Sequence, residues 1–452
     1  MFTHLNLTNF KIWRSTSTPE QPRLDLAPIT LLLGTNSSGK SSLIQSLLLI
    51  RQTVTSGDDS LDLNLGDPDD GDTLTLGGFT DVHRQGAERE PMVIEFGWRQ
   101  AQPQVNGLFN AQYTRAPGGQ AELKRLTLQI DADKGFVATR QGKGAYKLNV
   151  HGLRIALRAR NEYKPLRSFR IPDSALESLG SKRSIGFALS AVAMSLSNEL
   201  ALICYLGPVR AKPQRSYSWN GKLPPTLGDD GAHAAQALIA SWRAGELARK
   251  RQEPEPPQYA LFAQAGAWLR KLGLAGGLDV TALGSGRYEL RVRSLLDLSS
   301  TSNLRDVGAG VTQVLPVITL VLSAPPGSVV ILEEPESHLH PAAQTELAEL
   351  LIAARQRGVQ VIVESHSEHM LLRLQRRVAE SVVHESEVTA YFCSRSGEAP
   401  KIERLRLNEM GEIENWPDNF FGDEMTELSA RTLAGLKKRG ISVQIPGRTP
   451  NE

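Results

Sequence analysis

Cysteine is almost missing: Cys204 and Cys393 are the only two in 452 residues, far apart and outside any metal-ligand spacing. That excludes a disulfide-stapled scaffold or a cysteine-built zinc site and fits a reducing compartment. Long hydrophobic runs are missing too. The apolar stretches near 189–206 and 311–322 carry Asn198 and Glu199 or are too short to cross a bilayer, so no membrane partner is expected. Met1-Phe2-Thr3-His4 lacks the basic segment and apolar run of a secretory signal, so a cytoplasmic location is expected. A charge excess is the third absence. With 51 basic and 49 acidic residues, overall charge exerts no general pull toward nucleic acid. Internal repeats and heptads long enough for a coiled coil are also lacking. What remains is an ordinary globular composition, 40% hydrophobic and 22% charged, in a chain too long for one core.

The pattern along the chain predicts α/β architecture with two insertions. Leu5–Phe10 alternates like a strand, and Ile29–Leu33 is a continuous apolar run like a buried parallel strand. A glycine-rich turn follows, then helical spacing of Leu43, Leu47, Ile50 and Val54. Residues 58–72 hold seven aspartates among glycines and predict an exposed acidic loop, without the closing glutamate of an EF-hand. From about 91 to 160, alternating segments between glycine-bearing breaks predict an antiparallel meander. From about 173 to 274 the pattern becomes helical, with a Pro/Gly break at 207–225, and beyond 300 strand and helix alternate again. The expected division is 1–84 for the N-terminal part of a nucleotide-binding lobe, 85–172 for a β-rich subdomain, 173–300 for a helical insertion, 301–410 for the rest of the lobe and 411–452 for a tail.

Three strand ends carry the chemistry. Gly34-Thr35-Asn36-Ser37-Ser38-Gly39-Lys40-Ser41 fits the P-loop spacing GxxxxGK[ST] and lies between predicted strand and helix. Glycines let successive amides converge on a phosphate at the helix N-terminus, continuing to Ser42, while Lys40 offers an ammonium and Ser41 a hydroxyl for Mg2+. Val329-Val330-Ile331-Leu332-Glu333-Glu334-Pro335-Glu336 is a buried strand ending in carboxylates, the Walker B arrangement. Glu333 is expected to hold the metal shell and Glu334 to orient and deprotonate the attacking water. A third apolar run, Val359–Ser365, delivers His366 to the same sheet edge. Gly308-Ala309-Gly310-Val311-Thr312 opens the apolar helix Val314–Leu322; its glycines could present amides to an anion, and by itself it also reads as a helix start.

The order of these motifs resembles the ABC-type ATPases of the OLD, RecF and SMC lineage. Leu5–Phe10 with the P-loop looks like their opening, and Glu336-Ser337-His338-Leu339-His340-Pro341 looks like their D-loop. The nearest likeness is to compact bacterial predicted ATPases, many of which sit in anti-phage defence operons beside a nuclease. The resemblance spans about 1–56 and 304–374. It implies a P-loop NTPase head of ABC type, ATP and Mg2+ as cofactors, and a homodimer or higher oligomer of heads. In it Gly34, Asn36, Ser37, Ser38, Gly39, Lys40, Ser41 and Ser42 cradle phosphates, Ser41 and Glu333 hold the metal, and Glu334 and His366 act in hydrolysis. Gly308, Gly310 and Thr312 supply a signature to the opposite protomer. Glu333 stands where that family more often has aspartate, and the signature is not literally Leu-Ser-Gly-Gly-Gln. Gln85 is the candidate Q-loop glutamine, and Phe10 or Trp13 could stack on adenine or belong to the core.

The function expected from this resemblance is an ATPase that gates a separate nuclease or other effector in anti-phage defence or DNA transactions. A RecF-like repair ATPase and a sensor with little hydrolysis are the alternatives. A transporter motor is disfavoured by the roughly 290 residues between Lys40 and Glu333. A built-in nuclease is disfavoured because only 86 residues follow His366, without a spaced set of carboxylates after apolar strands. DNA remains a possible partner: Arg210–Trp219 interleaves cations and aromatics, as a strand clamp or as a loop against another lobe. Glu414–Phe421 places aromatics among acids, either a docking patch or a tail folded on its own core.

Overall fold

A computed structural model describes residues 1–18, 23–67, 69, 71–100, 104–131, 134–141, 146–150, 153–155, 164–172, 183–251, 260–396, 399–417, 431 and 438. Along the chain the strands are β1 (Phe2–Phe10), β2 (Trp13–Ser15), β3 (Leu24–Asp25), β4 (Ile29–Gly34), β5 (Met92–Gln100), β6 (Val105–Arg115), β7 (Ala121–Ile130), β8 (Lys134–Arg140), β9 (Tyr146–Val150) and β10 (Leu153–Ile155). They continue with β11 (Ile203–Leu206), β12 (Tyr217–Ser218), β13 (Gly277–Gly284), β14 (Arg287–Arg293), β15 (Thr301–Asn303), β16 (Val329–Glu333), β17 (Gln360–Glu364), β18 (Val388–Ser396) and β19 (Ala399–Leu405).

The central sheet has the order β11-β16-β17-β4-β18-β19, parallel except for the terminal hairpin β18-β19. One strand, β17, thus separates the P-loop strand β4 from the Walker B strand β16. Both faces are covered, which is why these strands read as unbroken apolar runs. Leu31, Leu33, Val330 and Leu332 enter one core with the helices Ala234–Arg251, Ala260–Lys271, Ala309–Ser323, Pro341–Gln356 and Glu368–Ala379. Leu32, Val329 and Ile331 enter the other, with the helix Lys40–Thr55 and the antiparallel sheet. The alternation of side chains along each strand therefore sorts one hydrophobic run into two cores.

The predicted meander is present as β5 to β10, but it does not stand apart from the N-terminal segment. β1 pairs antiparallel with β5 from Phe2↔Trp98 to Thr8↔Val93, so the first strand belongs to the nine-stranded sheet β10-β9-β8-β7-β6-β5-β1-β2, with β3 on β1. Alternation of Leu5 and Leu7 predicts a strand; it does not say which sheet the strand joins. The region expected to be helical, 173–300, holds the helices Arg183–Ala201, Ala234–Arg251 and Ala260–Lys271, yet it also supplies β11 to the central sheet and β12 to β14 to a smaller four-stranded sheet. β11 is only four residues long, too short for periodicity to separate it from its helical surroundings. In the acidic loop Asp58 and Asp59 are exposed, whereas Asp62 is buried, bridged to Lys164 Nζ at 3.0 Å and accepting from the Leu123 amide. Both cysteines are free, and among the described residues no helix is long and apolar enough to cross a membrane. Most of the 411–452 segment, including 418–421 of the aromatic cluster, lies outside the described residues.

Candidate functional site: the C-terminal edge of the parallel sheet

β4 ends in a loop whose backbone requires glycine twice. Gly34 has φ +137°, and a Cβ there would meet the Cys393 carbonyl oxygen at 1.9 Å; Gly39 has φ +94°, and a Cβ would meet Ile12 Cδ1 at 2.6 Å. Only glycine takes both the dihedrals and the space. Asn36 and Ser37 are exposed at the loop tip, whereas Ser38 is buried and donates to the Thr35 carbonyl at 2.7 Å. Gly39 caps the sixteen-residue helix Lys40–Thr55, so the unpaired amides and positive dipole end of that helix face the loop. Ser42, buried, donates its amide to the Gly39 carbonyl and closes the first turn. Lys40 is buried; its Nζ donates to the Gly34 and Thr35 carbonyls at 3.1 and 2.8 Å. Burial lowers its pKa, opposed by the nearby Glu364 carboxylate.

Two adjacent strand ends carry three carboxylates, of which Glu364 meets this loop. Glu333 and Glu364 are opposite one another in the parallel register. Glu333 is 5% exposed, and its Oε1 accepts from Tyr205 Oη at 2.8 Å; burial raises its pKa, and the tyrosine bond works the other way. Its carbonyl accepts from Arg210 Nη2 at 2.9 Å. Glu364 accepts from Ser41 Oγ at 2.9 Å and lies 3.9 Å from Lys40 Nζ. Burial first, then the Glu333 charge, pushes its pKa up to about 7. Glu334 is half-buried with φ 45°, its amide donating to the Glu364 carbonyl at 2.8 Å and its Oε2 accepting from Ser337 Oγ at 3.0 Å. A non-glycine residue at positive φ costs on the order of 1 kcal/mol or more, and such residues cluster at functional sites.

Glu336 ties the D-loop-like segment to the histidine segment. Its Oε1 accepts from the His366 amide at 2.6 Å, and its Oε2 is buried without a partner. The His366 ring is exposed on the same edge, its pKa lowered by partial burial and by the Lys40 ammonium. Gly308 caps the helix Ala309–Ser323, and Thr312 Oγ1 donates to the Ala309 carbonyl at 3.0 Å. A Cβ on Gly310 would lie 3.2 Å from the His338 carbonyl oxygen, so this helix start abuts the D-loop-like turn rather than the P-loop of its own chain.

Other candidates fare differently. Phe10 and Trp13 are core residues, 0% and 1% exposed, and Trp13 Nε1 donates to the Gly39 carbonyl at 3.2 Å; Trp13 braces the P-loop from below and neither ring is open to adenine. Gln85 is exposed and shares a surface cavity with Lys11, Arg14 and His83. Part of the Arg210–Trp219 segment is engaged within the chain: Arg210 is 7% exposed, Arg215 forms an exposed two-pronged bridge to Asp306, Tyr217 is buried, and Trp219 packs edge-on to Tyr288. Lys212, Gln214 and Ser218 of the same segment are exposed.

Sequence reasoning missed Glu364, Tyr205, Arg210 and Glu336 as members of this site. For Glu364 a signal was available, since it ends an apolar strand in a carboxylate as Glu333 does. For Tyr205 and Arg210 none was, because Tyr205 lies in the unrecognised strand β11 and Arg210 just after it. The residues present fit a Mg2+-nucleotide. The loop amides, Lys40 and the helix end suit phosphate, and the hard oxygens of Ser41 and the carboxylates suit Mg2+, with Glu364 Oε2 buried and unpartnered. Among the described residues no group of three or more His, Cys, Asp or Glu side chains could hold a metal.

Residues 279–372 match the family model described as "AAA domain, putative AbiEii toxin, Type IV TA system", and residues 383–430 match "Protein of unknown function (DUF3696)". No curated protein matches the chain. Among solved structures, an SMC head bound to the C-winged helix domain of ScpA is similar with TM-score 0.46 at 11% identity, over 90% of this chain and 98% of that one. The SMC head domain from Thermotoga maritima is similar with TM-score 0.40 at 12% identity, over 90% and 99%. The Smc head domain with an extended coiled coil from Pyrococcus furiosus, bound to the C-terminal domain of ScpA, gives 0.43 at 12%, over 96% and 99%. β4, its glycine-rich loop and the β16-β17-β4 order make an α/β fold with a P-loop motif at the edge of its parallel sheet, and residues 279–372 match an AAA-type model.

Proposed function

We propose that this chain binds Mg2+-ATP at the edge formed by β4, β16 and β17 and hydrolyses it, and that two heads close on nucleotide to gate a separate effector. The observation that carries the chemistry is convergence. Lys40 and Ser41 lie beside Glu364, and Glu333, Glu334 and His366 share their electrostatic surroundings, from segments about 300 residues apart. Lys40 turns from loop carbonyls to phosphate oxygens. Ser41 and a carboxylate would hold Mg2+, which would supply neutralisation of charge developing on the transferred phosphoryl group. Glu334 orients water and accepts its proton, held by its φ and by Ser337; His366 stands at the rim as the γ-phosphate contact.

The head dimer draws support from Gly308, Gly310 and Thr312 opening a helix beside the D-loop-like turn; in such a dimer they would meet nucleotide on a second copy. In this arrangement 1–84 and 301–410 make the ATPase lobe, with β11 added to its parallel sheet and β1 to β3 shared with the antiparallel sheet of 85–172; the rest of 173–300 is an insertion, and 411–452 is a tail. The effector is a nuclease or other defence protein, and the chain works in the cytoplasm. Glu334→Gln tests the chemistry. It should bind ATP yet turn over at least about tenfold more slowly, because an amide cannot accept the proton; an unchanged turnover number removes Glu334 from the reaction.

A further inference from the structure

In P-loop ATPases the hydroxyl of the P-loop serine or threonine and the Walker B acid hold Mg2+ together. Here the Walker B acid is not the carboxylate that meets the P-loop. Glu333 is turned toward β11: Tyr205 Oη holds its Oε1, and Arg210 holds its carbonyl. The strand between puts a different acid in reach, because β17 pairs with β4 through Glu364↔Leu32 and with β16 through Glu333↔Glu364. Ser41 Oγ donates to Glu364 Oε1 at 2.9 Å, Lys40 Nζ stands 3.9 Å from the same oxygen, and Glu364 Oε2 is buried without a partner.

Resting on the nucleotide site proposed above, we infer that Glu364, with Ser41, is the protein carboxylate that holds Mg2+ in this chain. A serine that ligates a metal through its lone pair still has a proton to donate, and Ser41 already donates it to Glu364. Once Lys40 turns to phosphate, Glu364 is left buried with one unpartnered oxygen, and its charge must be balanced there by a cation or cancelled by a proton. A buried carboxylate in that position is costly unless a cation takes the place. Mg2+, directly or through one of its waters, supplies that cation. Glu333 becomes a positioning residue, fixing the end of β16 so that Glu334 is aimed correctly.

The test uses the full chain and the non-hydrolysable analogue AMPPNP, titrated by calorimetry with Mg2+ and with EDTA, alongside Mn2+ electron paramagnetic resonance. Wild type should bind more tightly with Mg2+. Glu364→Gln should lose about tenfold or more in Mn2+ affinity and most of the Mg2+ enhancement, while binding AMPPNP in EDTA at least as well as wild type. Glu364→Gln with wild-type Mn2+ and Mg2+ dependence overturns the inference, whatever Glu333→Gln does. Should Glu364→Gln not fold, Glu364→Asp carries the test: the shortened side chain withdraws from Ser41, and wild-type metal dependence again refutes it. Equal AMPPNP binding by wild type and Lys40→Ala, or none by either, removes the nucleotide site itself and this inference with it. Lys40-dependent binding with an unaltered Glu364→Gln removes the inference alone.

Discussion

Two glycine-rich helix starts look alike in sequence and differ in the structure. Around the P-loop the glycines are demanded by the chain's own packing: Gly34 lies against the Cys393 backbone, Gly39 against Ile12 and Trp13, and both have positive φ. Buried Lys40 and Glu364 stand beside them. At the second start, Gly308 has φ −61°, and a Cβ there would meet nothing within 4 Å. Gly310 has ordinary helical surroundings with one close carbonyl at 3.2 Å. The first cradle is completed by its own chain. Nothing in the protomer's packing requires glycine at 308, so any functional requirement there comes from outside the protomer.

The contrast can be broken most severely at Gly34. Gly34→Ala should cost on the order of 3 kcal/mol or more, seen as a large fall in Tm, with nucleotide binding lost, because backbone rather than a flexible side chain blocks the new methyl. A wild-type Tm with intact binding would show that the β18 contact yields freely. Next in size is a mixing experiment on the other helix start. Lys40→Ala and Gly310→Arg homodimers should each be inactive, whereas in random mixtures about half the dimers are mixed and each has one site of two intact halves. Roughly a quarter of the sites should then recover, by the counting for a symmetric interface. Full activity of Gly310→Arg alone would reduce the segment to a plain helix start.

The charge difference between the two regions can be sharpened with pH. Glu364 has a pKa pushed up to about 7 from 4.5, beside Lys40, Ser41, Glu333 and Glu334. The folded chain therefore binds an extra proton between those values, and this group's contribution to stability is fullest at low pH and is lost as pH rises through about 7. Glu364→Gln should remove that component and stabilise the nucleotide-free protein above pH 7 by up to about 3 kcal/mol, read from denaturant unfolding at a series of pH values. Identical pH profiles for variant and wild type would contradict the burial of its charge. The smallest expected effect is Gly308→Ala, which should change stability by no more than about 0.5 kcal/mol while slowing ATP turnover. A large stability loss would place the requirement for glycine inside the protomer after all.

Much of the central sheet was legible because its signals are local. Ile29–Leu33, Val329–Leu332 and Val359–Val363 are unbroken apolar runs, as strands covered on both faces must be, and the glycine spacing before Lys40 follows from the dihedrals and close approaches of that loop. Those three strands, the P-loop and the run of acids at the end of β16 were therefore determined by the sequence itself. Partnership was decided elsewhere. That β1 joins the meander, that the four residues of β11 extend the central sheet, that Trp13 braces the P-loop, and that Glu364 rather than Glu333 meets Ser41 all depend on which strands lie side by side. Strand order joins residues 323 positions apart through a 2.9 Å hydrogen bond. Periodicity fixes which face a side chain takes within its own strand, and only the packed sheet determines what stands opposite it.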